Sequence, residues 1–170
     1  WDEPSAPTDF GVLYEDDDLV VLNKPSGLPV LPGGLFLDNT LLHLVRVRYG
    51  AGLSPVHRLG RGTSGAIIFS RTRDAARSLS GAMAERRVIK KYLALASGAG
   101  LPETFTVDAP IGPVPHQRPA TVNAYRQDGR PSLSHVRVVR RLAADDAAVV
   151  EVTIPTGRPH QIRIHLSYAG

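Results

Sequence analysis

Apolar and polar residues alternate along this chain in short blocks, and the blocks predict more strands than helices. Phe10 to Tyr14 and Leu19 to Asn23 read as strands on either side of an acidic turn, Glu15-Asp16-Asp17-Asp18. The second strand runs into Lys24-Pro25-Ser26-Gly27-Leu28, where Pro25 and Gly27 stop it, and Pro29, Pro32, Gly33 and Gly34 extend the irregular stretch. Asp38-Asn39-Thr40 supplies cap residues for a helix over Leu41 to Tyr49, with Leu41, Leu44 and Val45 on one face and Gly50 as its stop. A loop then leads to a short apolar strand, Ala66 to Phe69. Thr72 caps a second helix that reaches about Arg87, with Ala75, Ala76, Leu79, Ala82 and Met83 as its inner face. Val88 to Ala96 reads as a strand and Phe105 to Val107 as a weaker one. Pro110 to Pro119, which includes His116 and Arg118, reads as a proline-rich loop. Ser132 to Leu142 and Ala148 to Ile154 form a hairpin across Asp145-Asp146. Pro159 and the spacing of Ile162 and Leu166 mark the start of a last helix, whose free N–H groups would favour anions. Residues 1–9 read as a tail or linker and residues 10–170 as one domain.

Composition narrows the partners more than the fold. A length of 170 residues, 42% hydrophobic, suits one folded domain rather than a disordered chain. The net charge is +4 and is carried mostly by arginine, since Lys24, Lys90 and Lys91 are the only lysines. Such a balance suits a polyanion, with nucleic acid ahead of membrane, although an excess of arginine can also be plain solvated charge. The chain has no cysteine, which removes disulfides and thiolate-bound zinc and fits a cytoplasmic location. No apolar run is long enough to span a bilayer. The first residue is Trp1, so the expectation is a piece of a longer chain.

Two arrangements suggest metals and are set aside. The aspartate run Asp16-Asp17-Asp18 lacks the glycine and spaced ligands of a calcium loop, so it reads as a solvated turn. His160 and His165 are five apart, off the spacing that shares one metal on one helix face.

The chemistry gathers in His57-Arg58-Leu59-Gly60-Arg61-Gly62-Thr63-Ser64-Gly65. Glycines let this backbone turn tightly, and Arg58 and Arg61 carry planar, permanent charges suited to phosphates or bases. Taken alone, the stretch is most simply a glycine-rich turn with solvated arginines. Three further blocks change that weighting. They are Lys24-Pro25-Ser26-Gly27-Leu28, Lys90-Lys91-Tyr92-Leu93-Ala94 and Gly157-Arg158-Pro159-His160-Gln161-Ile162-Arg163. With the central loop they resemble, in order, the motifs of RluA-type RNA pseudouridine synthases. The central loop resembles that family's His-Arg-Leu-Asp-Arg-x-Thr-Ser-Gly, with Gly60 where the family has its catalytic aspartate. The resemblance covers about Phe10 to Gly170, and the family runs on for several dozen residues beyond that point.

The resemblance implies an α+β fold with a mixed, mostly antiparallel sheet, flanking helices and a central RNA cleft. It implies isomerisation of uridine to pseudouridine in structured RNA, rRNA or tRNA, with neither metal nor organic cofactor. That reaction cuts the bond from uracil to ribose, turns the base and rejoins it through carbon. A carboxylate beside the sugar carbon attacks it or stabilises its positive charge, as in glycosidases. The base must first leave the helix. Arg58 would fill the gap it leaves, Tyr92 would pack on the uracil and enter proton transfer, and Arg163 would pair with the aspartate. Arg61, Arg158 and His160 would contact RNA or wall the pocket, and Lys24 would support it or touch a phosphate. Gly60 offers no nucleophile. One reading is therefore a working synthase that recruits another carboxylate, with Asp38 as the candidate. The alternative is a catalytically inactive homologue that binds or remodels RNA. A basic protein unrelated to RNA is the third reading, and four motifs in order speak against it.

Overall fold

The computed structural model describes residues 2–98, 100–117 and 121–170. Arg118, placed above in the proline-rich loop, lies outside them, as does Trp1. By its own contacts the chain divides into two units, Trp1–Glu85 and Arg86–Gly170.

In the first unit the order is β1 (Gly11–Glu15), β2 (Leu19–Lys24), α1 (Leu41–Tyr49), β3 (Ser54–Pro55), β4 (Gly65–Ser70) and α2 (Arg73–Ala84). The strands make one antiparallel sheet in the order β1-β2-β4-β3. Alternation sets its buried face: Val20 lies opposite Phe69 and Leu22 opposite Ile67, and all four are fully buried. Leu28, Val30, Leu53 and the α1 residues Leu41 and Val45 complete this core. Thr40 caps α1, its Oγ1 accepting from the His43 N–H at 3.3 Å. Thr72 caps α2 in the same way through Ala75. The α2 inner face is half-buried as the spacing predicts, but the helix ends at Ala84 rather than near Arg87. Arg86 takes a left-handed φ of 57°, which a helix cannot contain.

The acidic run is a turn. Asp16 Oδ1 accepts from the N–H groups of Asp18 and Leu19, Tyr14 donates to Oδ2, and Asp18 takes the Thr72 hydroxyl. Residues 2–9 have no regular structure, yet they are not loose. The Glu3 carboxylate accepts from the backbone N–H groups of Leu37, Asp38 and Asn39 at 2.7–2.9 Å.

In the second unit the order is β5 (Lys91–Ser97), β6 (Thr104–Asp108), β7 (Ile111–Pro115), β8 (Thr121–Tyr125), β9 (Leu133–Leu142), β10 (Ala147–Thr153) and α3 (Gln161–Tyr168). Four strands form an antiparallel sheet, β5-β10-β9-β6. Val136, Val138, Ala148, Val150 and Val152 bury one face of it with Ala96 and Ile154, and Ile162 and Leu166 of α3 pack there. The β9–β10 hairpin is the one expected. The β5 strand begins at Lys91, three residues later than its apolar pattern suggested.

The expected proline-rich loop is half strand. β7 pairs with β8 in a two-stranded ribbon, Gly112 opposite Ala124 and Val114 opposite Val122. Its prolines fit because of period. The Ile111 N–H points away from β8, donating to Arg130 at 3.0 Å, so Pro113 and Pro115, two and four residues on, lack an N–H only where the ribbon needs none. The α+β class therefore holds. Its strands form three antiparallel sheets among the described residues, where one mixed sheet was expected.

Candidate functional site

The first unit fastens the central loop through its backbone. β2 places Val20, Leu22 and Lys24 on its inner face, so Lys24 follows two core residues inward and is fully buried. Its Nζ donates to the carbonyls of Pro25 at 2.8 Å, Leu28 at 2.6 Å and Arg61 at 3.1 Å. Three ammonium N–H groups thus meet three carbonyls, as a buried charge requires. Burial pulls this ammonium down to about 8, which still leaves it protonated at neutral pH. Beside it the Gly27 N–H donates to the Arg61 carbonyl at 2.8 Å, and Ser26 Oγ donates to the Gly62 carbonyl at 2.9 Å. The Lys24-to-Leu28 loop is therefore a clamp on Arg61 and Gly62. This corrects the phosphate-contact role for Lys24: it has no exposed surface and no donor to spare, so support is the role its geometry allows.

Clamped by its carbonyls, the loop turns its long side chains outward. Arg58 and Arg61 are exposed, and neither meets a carboxylate among the described residues. Arg61 instead lies over the Phe36 ring, 5.5 Å from its centre. His57 Nε2 accepts from the Ile68 N–H at 3.2 Å, which assigns the ring proton to Nδ1 when the ring is neutral. Gly60 is exposed, its carbonyl accepting from the Thr63 N–H at 3.0 Å. A β-carbon at Gly60 would meet only Thr63 Oγ1 at 3.5 Å, an ordinary contact, so the backbone there can carry a side chain. Asp38, the candidate substitute carboxylate, lies 3.3 Å from His43 Nδ1 at the start of α1.

In the second unit the fastening is side chain to side chain. Gln161 is buried and uses its whole amide. Its Oε1 accepts from Thr156 Oγ1 at 2.9 Å and the Arg158 N–H at 3.0 Å. Its Nε2 donates to the Leu133 carbonyl at 2.8 Å and Ser134 Oγ at 3.1 Å. His165, one turn on and fully buried, donates from Nε2 to the Ala109 carbonyl at 3.0 Å. Its Nδ1 then accepts the Ser134 hydroxyl at 2.8 Å, which is the neutral tautomer. Burial holds His165 below its ordinary value, against an opposing pull from the Ala109 carbonyl and the Asp108 charge.

That network fixes which way α3 faces. Gln161 and His165 share one inward face and Ile162 and Leu166 the adjoining one, so Arg163 is left exposed. His160 precedes the helix with φ 58° and no side-chain cap, so the helix begins two residues after Pro159 rather than at it. The end is closed instead by Gln161 accepting from Arg158. Arg158 is half-buried and donates to the Pro131 carbonyl at 3.3 Å. Its charge, after burial and ahead of that of Arg86, lowers Lys90, whose Nζ would lie 3.3 Å from a β-carbon at Gly157. Lys90 joins the cationic group by folding alone. Tyr92 packs against the sheet core, and burial raises its phenol above the ordinary tyrosine value.

The structure thus groups Arg58, Gly60, Arg61 and Lys24 in one unit and Tyr92, Arg158, His160 and Arg163 in the other. The residues missed from sequence are the supports: Gln161, His165 and Ser134. The signal was present, since Gln161 and His165 are four apart on the face of α3 that the apolar pattern leaves next to the core.

Comparison with known proteins meets this arrangement. Residues 18–168 match the family model described as RNA pseudouridylate synthase. The whole chain is 40% identical to RNA pseudouridine synthase 5 of Arabidopsis thaliana, covering 54% of that protein. It is 39% identical, over 96% of its length, to ribosomal large subunit pseudouridine synthase D of Xanthomonas campestris, covering 50% of that protein. Among solved structures, human RNA pseudouridylate synthase domain containing 1 superimposes with a TM-score of 0.82 at 29% identity, covering 98% of this chain and 67% of that one. The chain spans about half the length of the curated relatives it matches. With motifs, fold and relatives in agreement, the chain belongs to the RluA-type family of RNA pseudouridine synthases.

Proposed function

We propose that the protein is an RNA pseudouridine synthase that isomerises uridine in structured RNA, rRNA or tRNA, in the cytoplasm. The observation that carries this reading is the clamped loop, which offers Arg58 and Arg61 to solvent with no acidic partner among the described residues. Arginines held this way are pre-organised for phosphates and bases, and their binding energy is not spent inside the protein. In the proposed reaction the uridine swings out of its helix and Arg58 takes its place. Tyr92 packs on the uracil and serves in proton transfer, its phenol kept protonated at rest by the burial that raises it. Arg163, Arg158 and His160 supply positive charge and hydrogen bonds to the nucleotide. Arg163 holds whichever carboxylate serves the sugar carbon. The reading requires no metal and no organic cofactor.

Gly60 is the observation that favours the second reading, an inactive homologue that binds RNA, because it brings no carboxylate to the loop. Mapping pseudouridine in rRNA and tRNA, with and without the gene, separates the two. Loss of one specific site, restored by the unaltered gene, supports turnover; an unchanged map supports binding alone. Gly60→Asp in the full-length protein sharpens the test, since a β-carbon fits there without displacing backbone. If the loop lacks only its carboxylate, the variant gains synthase activity by orders of magnitude over an inert parent. No gain would mean that the rest of the site has diverged.

A further inference from the structure

A second recognition element stands beside the arginine loop. Residues Gly33 to Phe36 close a tight turn: the Gly33 N–H donates to the Phe36 carbonyl at 2.9 Å and the Phe36 N–H returns to Gly33 at 3.1 Å. Gly34 takes φ 62°, which a two-residue hairpin of this kind needs at its first central position. The turn leaves Leu35 60% and Leu37 52% exposed. Phe36 between them is half-buried and lies under the exposed guanidinium of Arg61. That guanidinium has no carboxylate among the described residues. The carboxylates of the adjoining segment are engaged elsewhere, Glu3 with the backbone of residues 37–39 and Asp38 with His43. The Arg61 backbone is meanwhile pinned by Lys24 and Gly27.

A cation resting on an aromatic ring, with its backbone immobilised, is a stacking surface. A nucleobase is the ligand that uses both its plane and its charge. It stacks on the open side of the guanidinium, and its phosphate answers the charge. We infer that Arg61 and Phe36 form a stacking platform for an unpaired base of the bound RNA. This inference rests on the RNA reading above and adds a subsite to it. Arg58 and Arg61 are three residues apart on one loop, so the base in question is one near the target uridine.

The test uses the full-length protein and a short oligouridylate carrying a single 2-aminopurine, whose fluorescence is quenched when its base stacks. The unaltered protein quenches the probe on binding. Arg61→Lys keeps the charge and removes the plane; Phe36→Leu keeps apolar bulk and removes the ring. Each variant binds about tenfold more weakly, with the salt dependence retained and most of the quenching gone. Binding by the unaltered protein without quenching, or full quenching in both variants, overturns the platform while leaving the RNA reading in place. Failure of the unaltered protein to bind the probe while it binds transcribed rRNA or tRNA overturns the platform alone, and failure to bind any of these RNAs at low salt overturns both.

Discussion

In the first unit a buried cation fastens the arginine loop by its backbone carbonyls, whereas in the second a neutral side-chain network fastens the helix that carries Arg163. The first device is indifferent to loop side chains, because Lys24 grips only main-chain oxygens. Positions such as Gly60 can therefore change identity while the loop path persists. The second device depends on side-chain identity throughout. Gln161 uses both ends of its amide, and Ser134 must accept from Gln161 while donating to His165. One unit tolerates change where its chemistry lies, and the other locks the support beneath its chemistry. A fold whose expected nucleophile position holds glycine, with its arginines still aimed outward, is what the first arrangement permits.

The sharpest way to break this comparison is Lys24→Met. The side chain fills similar space, but the Pro25 and Leu28 carbonyls lose this donor and the Arg61 carbonyl is left with the Gly27 N–H alone. Each unsatisfied group costs about 1–3 kcal/mol, partly offset because an ammonium is no longer desolvated. The net expected loss is about 2–4 kcal/mol, read as a lower urea midpoint. Hydrogen exchange gives the local signature. The Gly27 amide, bonded to the Arg61 carbonyl, should lose protection more than amides in the middle of β4. Equal loss across the unit would show that Lys24 is ordinary core and no clamp.

Next in size is Gln161→Leu, which removes four hydrogen bonds while keeping bulk. Thr156, Ser134 and the Leu133 carbonyl are left short of partners, at an expected cost of about 2–3 kcal/mol in the second unit. The double variant Gln161→Leu with Ser134→Ala should cost less than the sum of the singles, because the two side chains belong to one network. Strict additivity would show that the network is only a set of separate contacts.

How far these devices were visible in the sequence differs by the range of the interaction. The helix over Leu41 to Tyr49 and the β9–β10 hairpin follow from local period and caps, and the structure has both. The β7–β8 ribbon was hidden because Pro113 and Pro115 signal a loop in any local window. Only the pairing partner reveals that their missing N–H groups face away from it. Lys24 stands at a strand end, where a lysine is ordinarily solvated. Yet Val20, Leu22 and Lys24 share the inward parity of β2, and that parity was readable. What closes the clamp, the Arg61 carbonyl 37 residues away, was not. The motif residues Arg58, Arg61 and Arg163 were found by resemblance, and each is exposed. Of the residues that aim them, Lys24 and Gln161 lie in the motifs and His165 one turn beyond; parity and spacing show that they face inward, but their partners lie in distant segments, so the bonds they make are not announced.

The smallest expected effect is a pH dependence, and it separates the two devices by sign of charge. His165 is neutral in the folded chain, and its folded value lies below its ordinary one of 6.5, with burial the main cause. The unfolded chain therefore takes up a proton first as pH falls. The stability this group contributes is complete above about pH 6.5 and drains away as pH drops through the folded value. Protonation at Nδ1 would also turn a proton toward Ser134, whose hydroxyl would lose its acceptor. Urea midpoints of the unaltered protein should thus decline from about pH 7.5 to 5 more steeply than those of His165→Gln, which has no proton to gain. Lys24, with a value of about 8, adds some slope only near the top of that window, and it does so equally in both proteins, so their difference reports His165. Parallel pH profiles for the two proteins would mean that His165 titrates alike folded and unfolded, and the network around Ser134 would then be no more than packing.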